Sequence, residues 1–242
     1  MSVGALILVE PAQAGNLGSA LRVAANFGIR RVELVRPAID PEDPEVESWA
    51  CGGDRRIELR TWSSLQEAAT SYHTLAASAS GRGRQNLPVM LPHEVVPLLK
   101  ERGLRGVALV FGNETRGLRR EDLDKCDLVI TIPTDESFPV LNLAQSIAIL
   151  TAVISMDAKN VPPLREIPAT QADVEQLMVH LRQSLLTIGF LDPQSPQRIL
   201  RKIRRLFGRA GITENEVAIL RGICRQMEWA AGARPERFRP PE

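Results

Sequence analysis

Short apolar runs alternate with helix-spaced segments from Ala5 to Met156, and this alternation constrains the fold more than any single motif. Ala5–Val9, Arg31–Val35, Tyr72–Ala77, Val107–Phe111 and Leu128–Ile132 read as strands, with Ile57–Leu59 a weaker one. Between them, Ser19–Phe27 and Ser63–Thr70 carry helical spacing, and Leu143–Met156 is a long apolar helix. Strands that alternate with helices predict an α/β fold, a mainly parallel sheet with helices on both faces.

Such a sheet puts chemistry on the loops at strand ends. Three loops there are rich in Gly, Asn, Glu and Arg: Glu10–Arg22 (EPAQAGNLGSALR), Val110–Leu118 (VFGNETRGL) and Ile132–Ala144 (IPTDESFPVLNLA). Gly15-Asn16-Leu17-Gly18 reads as a turn before a helix, where glycines let a ligand approach backbone amides. Arg22 lies one helical turn beyond Gly18 and can reach back toward it. Glu114, between Gly112 and Gly117, can meet a ribose hydroxyl or an amine. Asn142 can cap the helix that follows. Taken singly, each has an ordinary reading: a strand-to-helix turn, solvated charges, a helix cap. Neither the Walker spacing nor G-x-G-x-x-G is present, which argues against an ordinary nucleotide-binding enzyme. A fourth loop, Ser80-Gly81-Arg82-Gly83-Arg84, offers two arginines suited to phosphate.

Beyond Met156 the composition changes. Three prolines (Pro162, Pro163, Pro168) mark a linker over 158–169, between a domain over 1–157 and a helical extension over 170–242. Val174, Leu177, Met178, Leu181, Leu185 and Ile188 repeat at helical spacing, Ile199, Leu200, Ile203, Leu206 and Phe207 share one helix face, and Val217–Trp229 is a third helix. Arg198, Arg201, Lys202, Arg204 and Arg205 fill the face opposite the second set. The chain carries a net charge of only +1, yet Arg198–Arg225 holds eight Lys or Arg against two acids, a local excess suited to a polyanion. No apolar run is long enough to span a membrane. The three cysteines (Cys51, Cys126, Cys224) form neither a disulfide framework nor a metal motif, which fits a reducing cytoplasmic setting. His73, His93 and His180 lack ligand spacing, and no Ser has an evident His partner. Trp49, Trp62 and Trp229 read as isolated packing residues.

The conjunction Asn16-x-Gly18-x-x-x-Arg22, Phe111-Gly112-x-Glu114-x-x-Gly117-Leu118 and Leu141-Asn142-Leu143-Ala144, in this order, resembles the three motifs of the SpoU branch of the SPOUT RNA methyltransferases. The basic tail, Leu200–Ala210 with Ile219–Ile223, looks like the C-terminal extension of the bacterial TrmJ type within that branch. The resemblance covers nearly the whole chain. It implies a Rossmann-like parallel-sheet domain ending in a trefoil knot, with a small all-helical extension. It implies a homodimer through the knot domain, with each site near the subunit interface. It also implies S-adenosylmethionine as methyl donor without a metal, and the ribose 2′-hydroxyl of tRNA nucleotide 32, cytidine or uridine, as acceptor; this means RNA and not DNA.

By position, the cofactor contacts implied are Ala79, Ser80, Gly81, Gly112, Ile132, Pro139, Val140 and Leu141. Arg22 would bind a phosphate and the reacting oxygen, because arginine stays protonated and makes a poor base. Asn16 would hold Arg22 or the ribose, Glu114 would anchor the site, and Asn142 would order the third loop. Arg82, Arg84, Arg201, Lys202, Arg204 and Arg205 would meet RNA phosphates. Val140 stands where relatives commonly carry Ser, so that hydroxyl's role does not transfer. Asn113 stands where some relatives carry Arg, which removes one RNA contact. The competing expectations are the same chemistry on another RNA such as rRNA, and an inactive knotted RNA-binding protein.

Overall fold

Ala5–Val9 (β1) carries only aliphatic side chains, so both its faces need cover, and it is buried along its whole length. A computed structural model describes residues 3–79, 87–157 and 167–232. Ser80, Gly81, Arg82 and Arg84 lie outside these residues, as does the expected linker up to residue 166. The chain divides into two compact units, Met1–Arg165 and Glu166–Glu242.

Among the described residues, the first unit is built on seven parallel strands: β1, β2 (Arg31–Val35), β3 (Glu58–Trp62), β4 (Thr74–Ser78), β5 (Val89–Met90), β6 (Val107–Phe111) and β7 (Leu128–Ile130). Their order across the sheet is β3-β2-β1-β6-β4-β7-β5. Every pairing is parallel. The period of two along β1 sorts its side chains between two cores. Leu6 and Leu8 join the core formed with helices α1 (Ala14–Asn26), α2 (Pro44–Ala50), α4 (Pro92–Glu101) and α6 (Leu143–Asp157). Ala5, Ile7 and Val9 join the opposite core, with α3 (Leu65–Ala69) and residues flanking α5 (Arg120–Leu123). Helices therefore cover both faces, as the alternation predicts.

Two differences from the sequence expectation bear on the site. Gly15-Asn16-Leu17-Gly18 is not a loop; it lies in the first turns of α1. These glycines serve helix contact instead of turning. A Cβ on Gly18 would come within 2.4 Å of the Val46 carbonyl oxygen and 2.7 Å of Trp49 Cβ, so α2 packs directly on the α1 backbone. The second difference is α2 itself, which the apolar spacing does not reveal. Its start is nonetheless encoded, with Asp43 accepting from the Glu45 amide and Pro44 at the first helical position. The short β5 and α4 likewise stand outside the elements that the spacing predicts.

At the carboxyl ends of β1 and β2 the backbone takes an unusual turn. Glu10 and Arg36 both adopt positive φ, 54° and 48°. A non-glycine residue stays in this region only when its surroundings hold it. Here Glu10 is nearly buried, and its carboxylate accepts from Arg36 (3.1 Å) and Arg119 (2.8 Å), with Arg116 at 3.5 Å. Arg36 also pairs with the buried Asp122 at 3.0 Å. The Asn113 side-chain amide donates to the Glu10 carbonyl at 2.8 Å. One carboxylate thus ties the ends of β1 and β2 to the loop after β6.

Among the described residues, the second unit consists of α7 (Gln171–Thr187), α8 (Gln197–Ala210) and α9 (Glu214–Ala230). Thr170 and Thr213 open α7 and α9 with capping boxes completed by Asp173 and Glu216. Its core collects Leu177, Leu181 and Leu185 with Leu200, Phe207, Val217 and Cys224. Leu206, expected on the apolar face of α8, is instead largely exposed, because it sits at the edge of that stripe. Arg204 ion-pairs with Glu175 of α7, so part of the basic face also holds the module together.

Burial would raise the Glu10 pKa, but hydrogen bonds and charge from Arg36 and Arg119 outweigh it and hold the carboxyl below its usual range. Its contribution to stability is therefore full above the ordinary carboxylate range and is lost as pH falls through the lowered value. Glu10→Gln is expected to cost about 2 kcal/mol at neutral pH in denaturant unfolding and to flatten the acid limb of the stability profile. Wild-type stability in this variant would remove Glu10 from its tying role.

Candidate active site

The three sequence motifs meet at the carboxyl ends of β1, β6 and β7. Glu114, in the loop after β6, turns its carboxylate onto the entry to α1. It accepts from the Ala12 amide at 3.1 Å and the Gln13 amide at 3.3 Å. Backbone donors just before a helix are a natural seat for negative charge. Asn16, in the first turn of α1, donates from Nδ2 to Glu114 Oε1 at 3.2 Å and to Gln13 Oε1 at 2.8 Å. Asn142 reaches the same cluster, donating from Nδ2 to Asn16 Oδ1 at 2.7 Å. Its own Oδ1 accepts from the Ala144 amide at 2.8 Å, so Asn142 also caps α6 as its position predicts.

Arg22 does not join this cluster. It is exposed on α1, and its Nη1 donates to Cys51 Sγ at 3.3 Å, at the end of α2. The step of six residues from Asn16 to Arg22 amounts to roughly 9 Å of helix. Of the two partners expected for Asn16, then, it is not holding Arg22.

The loop carrying Glu114 is shaped from within. Asn113 Oδ1 accepts from the amides of Thr115 (3.0 Å) and Arg116 (3.1 Å), and its carbonyl accepts from the Gly117 amide at 2.8 Å. Gly117 turns with φ of 67°. A Cβ on Gly112 would lie 2.2 Å from the Gly117 carbonyl carbon, so only glycine lets the loop close on the strand end. The sequence marks Asn113 only as the absence of an arginine. In the fold it is a buried loop organiser, and its link to Glu10 carries no local sequence signal.

Beside the cluster opens a cavity of about 500 Å³. Six of the residues expected to meet the cofactor line it: Ala79, Gly112, Ile132, Pro139, Val140 and Leu141. Glu114 and Arg116 line it too. The volume suits a ligand of drug or nucleoside size. Apolar side chains of Ile132, Leu141 and Leu143 stand beside the backbone of the Gly112–Gly117 turn, a mixed wall that fits a flat base joined to a polar tail. Thr131 Oγ1 donates to the Ala79 carbonyl at 2.9 Å, pinning together two of the segments that form the cavity. The residues present thus fit S-adenosylmethionine, though Val140 is 69% exposed and offers no hydroxyl.

The remaining polar residues fall elsewhere. Burial, with the nearby Arg102 charge, lowers the His73 pKa to about 4, so this ring is neutral at physiological pH. His180 lies 3.4 Å from Glu228 within the helical unit. On α8, Arg201 and Lys202 are exposed while Arg204 and Arg205 are half-buried. Trp62 is a packing residue as expected, its Nε1 donating to the buried Glu33 at 2.7 Å. Trp49 packs against the start of α1 on one side only and stays 54% exposed.

Comparisons with known proteins agree with this geometry. Residues 4–152 match the SpoU rRNA Methylase family, and residues 172–237 match the C-terminal domain of the tRNA methyltransferase TrmJ. The chain is 32% identical to the tRNA (cytidine/uridine/adenosine-2′-O-)-methyltransferase TrmJ of Pseudomonas aeruginosa, over 93% of this chain and 94% of that protein. It is 30% identical to the tRNA (cytidine/uridine-2′-O-)-methyltransferase TrmJ of Cronobacter sakazakii, over 95% of this chain and 98% of that protein. The crystal structure of TrmJ from Z. mobilis ZM4 superposes with a TM-score of 0.80 at 29% identity, covering 94% of this chain and all of that one. Family match, full-length relatives and the converging motifs together make this chain a member of the SpoU methylase family, with the C-terminal domain of its TrmJ branch.

Proposed function

We propose that the protein methylates a ribose 2′-hydroxyl in the tRNA anticodon loop, at nucleotide 32, on cytidine or uridine. The observation that carries this reading is the convergence of Asn16, Glu114 and Asn142 beside the cavity. The tRNA-directed activities named for the full-length relatives and the TrmJ C-terminal domain support tRNA as the substrate. Such a substrate places the protein's work in the cytoplasm.

When bound, S-adenosylmethionine supplies a methyl group on a positively charged sulfur. Ala79, Gly112, Ile132, Pro139, Val140 and Leu141 hold it, largely by backbone, together with Ser80 and Gly81. The protein's remaining task is to hold a weakly nucleophilic hydroxyl in line and ease its proton loss, which is largely a matter of positioning. Glu114 fixes the loop after β6 against α1. Asn16 and Asn142 form a rigid amide pair from which the ribose is held. Arg22, farther along α1, meets the neighbouring phosphate and the 2′-oxygen and favours its deprotonated form. Its present partner is a thiol, a weak acceptor that a phosphate readily displaces.

Two further parts of the reading concern assembly and RNA placement. Phe138, Val140, Ile149 and Met156 are exposed apolar side chains of the first unit. Exposed apolar side chains of this kind support a homodimer through that unit. Strands β6 and β7 flank β4 on either side, an interleaving that supports the knotted connection expected of the family. Arg201, Lys202, Arg204 and Arg205 of α8, with Arg82 and Arg84, place the tRNA body by contacts to phosphates.

Ribose-methylation mapping of tRNA from cells with and without the gene is expected to show loss of the 2′-O-methyl group at nucleotide 32. An unchanged nucleotide 32 would refute the assignment. Arg22→Ala is expected to lower turnover by at least about 100-fold while sparing S-adenosylmethionine binding, checked by single-turnover kinetics and calorimetry. Charge reversal at Arg201 and Lys202 is expected to weaken tRNA binding and reduce the slope of log affinity against log salt by about 1 for each phosphate no longer neutralised. An unaltered slope would detach α8 from the RNA.

A further inference from the structure

A second cavity, of about 680 Å³, opens on the α1–α2 side of the amide pair. Asn16 and Asn142 line it, followed by Ser19, Trp49, Asp43 and Glu45. We propose that this cleft is the subsite for the nucleobase of the acceptor nucleotide, with Trp49 as its stacking platform and Asp43 and Glu45 reading its edge. The inference rests on the transferase reading above and extends it to how the target base is held.

Four observations lead there. First, the cleft is continuous with the site: Asn16 and Asn142 touch it, while Glu114, bonded to Asn16, lines the cofactor cavity. A ribose held at the amide pair would have the methyl donor in one cavity and its own base in the other. Second, Trp49 is poised but uncovered. A Cβ on Gly15 would lie 3.1 Å from Trp49 Nε1, so the indole edge rests on the first turn of α1, yet 54% of the residue stays exposed. Unpaired bases of RNA loops are commonly held by stacking on such aromatic rings.

Third, the charges choose which part of a nucleotide enters. Asp43 and Glu45 are carboxylates and accept hydrogen bonds without donating. They repel a phosphate and welcome an exocyclic amino group, as carboxylates do at the amino group of cytosine. Asp43 Oδ1 already accepts from the Glu45 amide at 2.8 Å, which fixes its carboxylate at the cleft. Fourth, Ser19 of the cleft lies one helical turn before Arg22, so the phosphate-binding cation follows on the same face of α1. Base, ribose and phosphate then have successive partners along one surface. The cleft favours a base with an amino group, cytosine over uracil.

The test uses the full-length protein and anticodon stem-loops carrying cytidine or uridine at nucleotide 32. Trp49→Ala is expected to raise KM for RNA about tenfold, with kcat and S-adenosylmethionine affinity near wild type, while Trp49→Phe retains most of the affinity. Glu45→Gln is expected to bring the cytidine-to-uridine ratio of kcat/KM toward one. Stem-loop binding should quench a fluorescence component present in wild type and absent from Trp49→Phe. An unchanged KM in Trp49→Ala, or equal losses in the Ala and Phe variants, would overturn the stacking role. A change of molecular mass in Trp49→Ala by light scattering would make the cleft a subunit contact and overturn it as well. An unaltered base preference in Glu45→Gln would remove the edge reading. Trp49-dependent quenching without methyl transfer by the wild-type protein would leave the subsite standing and reject the transferase reading.

Discussion

A single buried carboxylate, Glu10, holds together parts of the chain that the sequence keeps far apart. It sits where β1 ends, in a left-handed backbone conformation, and draws in arginines from the end of β2 and from the loop after β6. That pull, with Asn113 bonded to the Glu10 carbonyl, helps hold Glu10 and Arg36 at positive φ. With it, the loop bearing Glu114 is pressed toward the start of α1, where the Ala12 and Gln13 amides wait. The ion pairs matter less for net stability than for position, since burying charge largely offsets their attraction. They fix which loop faces which helix.

Two cavities on either side of the amide pair follow from this placement. The one beside the β6 loop joins backbone and aliphatic side chains to the charged Glu114 and Arg116. The one beside α2 has an indole and carboxylates. Their difference in chemistry reflects the elements that bound them: strand-end loops for the first, two closely packed helices for the second. Gly18 makes that second boundary possible, because any side chain there would force α2, and Trp49 with it, away from α1.

The strand–helix alternation was legible because aliphatic runs such as Ala5–Val9 and Val107–Phe111 leave few other options. The site was legible as an ordered set of motifs, and six expected cofactor contacts do line one cavity. What the sequence hid depends on distance. Asn113 bonds Glu10 across a separation of 103 residues, and no pattern in either loop announces it. The glycines of α1 resemble turn residues because Gly serves turns and close helix contacts alike. Trp49 resembles an isolated packing residue because α2 has no apolar signature, and without α2 its exposed face has no context. Leu206 satisfies the apolar period of α8 but falls at the margin of the stripe, where periodicity does not distinguish core from surface.

The bonds linking α6 to Glu114 have a direction. The Ala144 amide donates to Asn142, Asn142 donates to Asn16, and Asn16 donates to Glu114. Each asparagine could in principle be turned end for end, but a carboxylate can only accept, and a backbone N–H can only donate. The two termini therefore set the sense of every bond between them, and neither amide can flip without breaking the line. The oxygen and nitrogen ends of Asn16 and Asn142 are thereby assigned before any RNA arrives. A glutamine in place of Glu114 would keep the shape yet remove one of the two fixed ends, leaving the Ala144 amide alone to set the sense of the line.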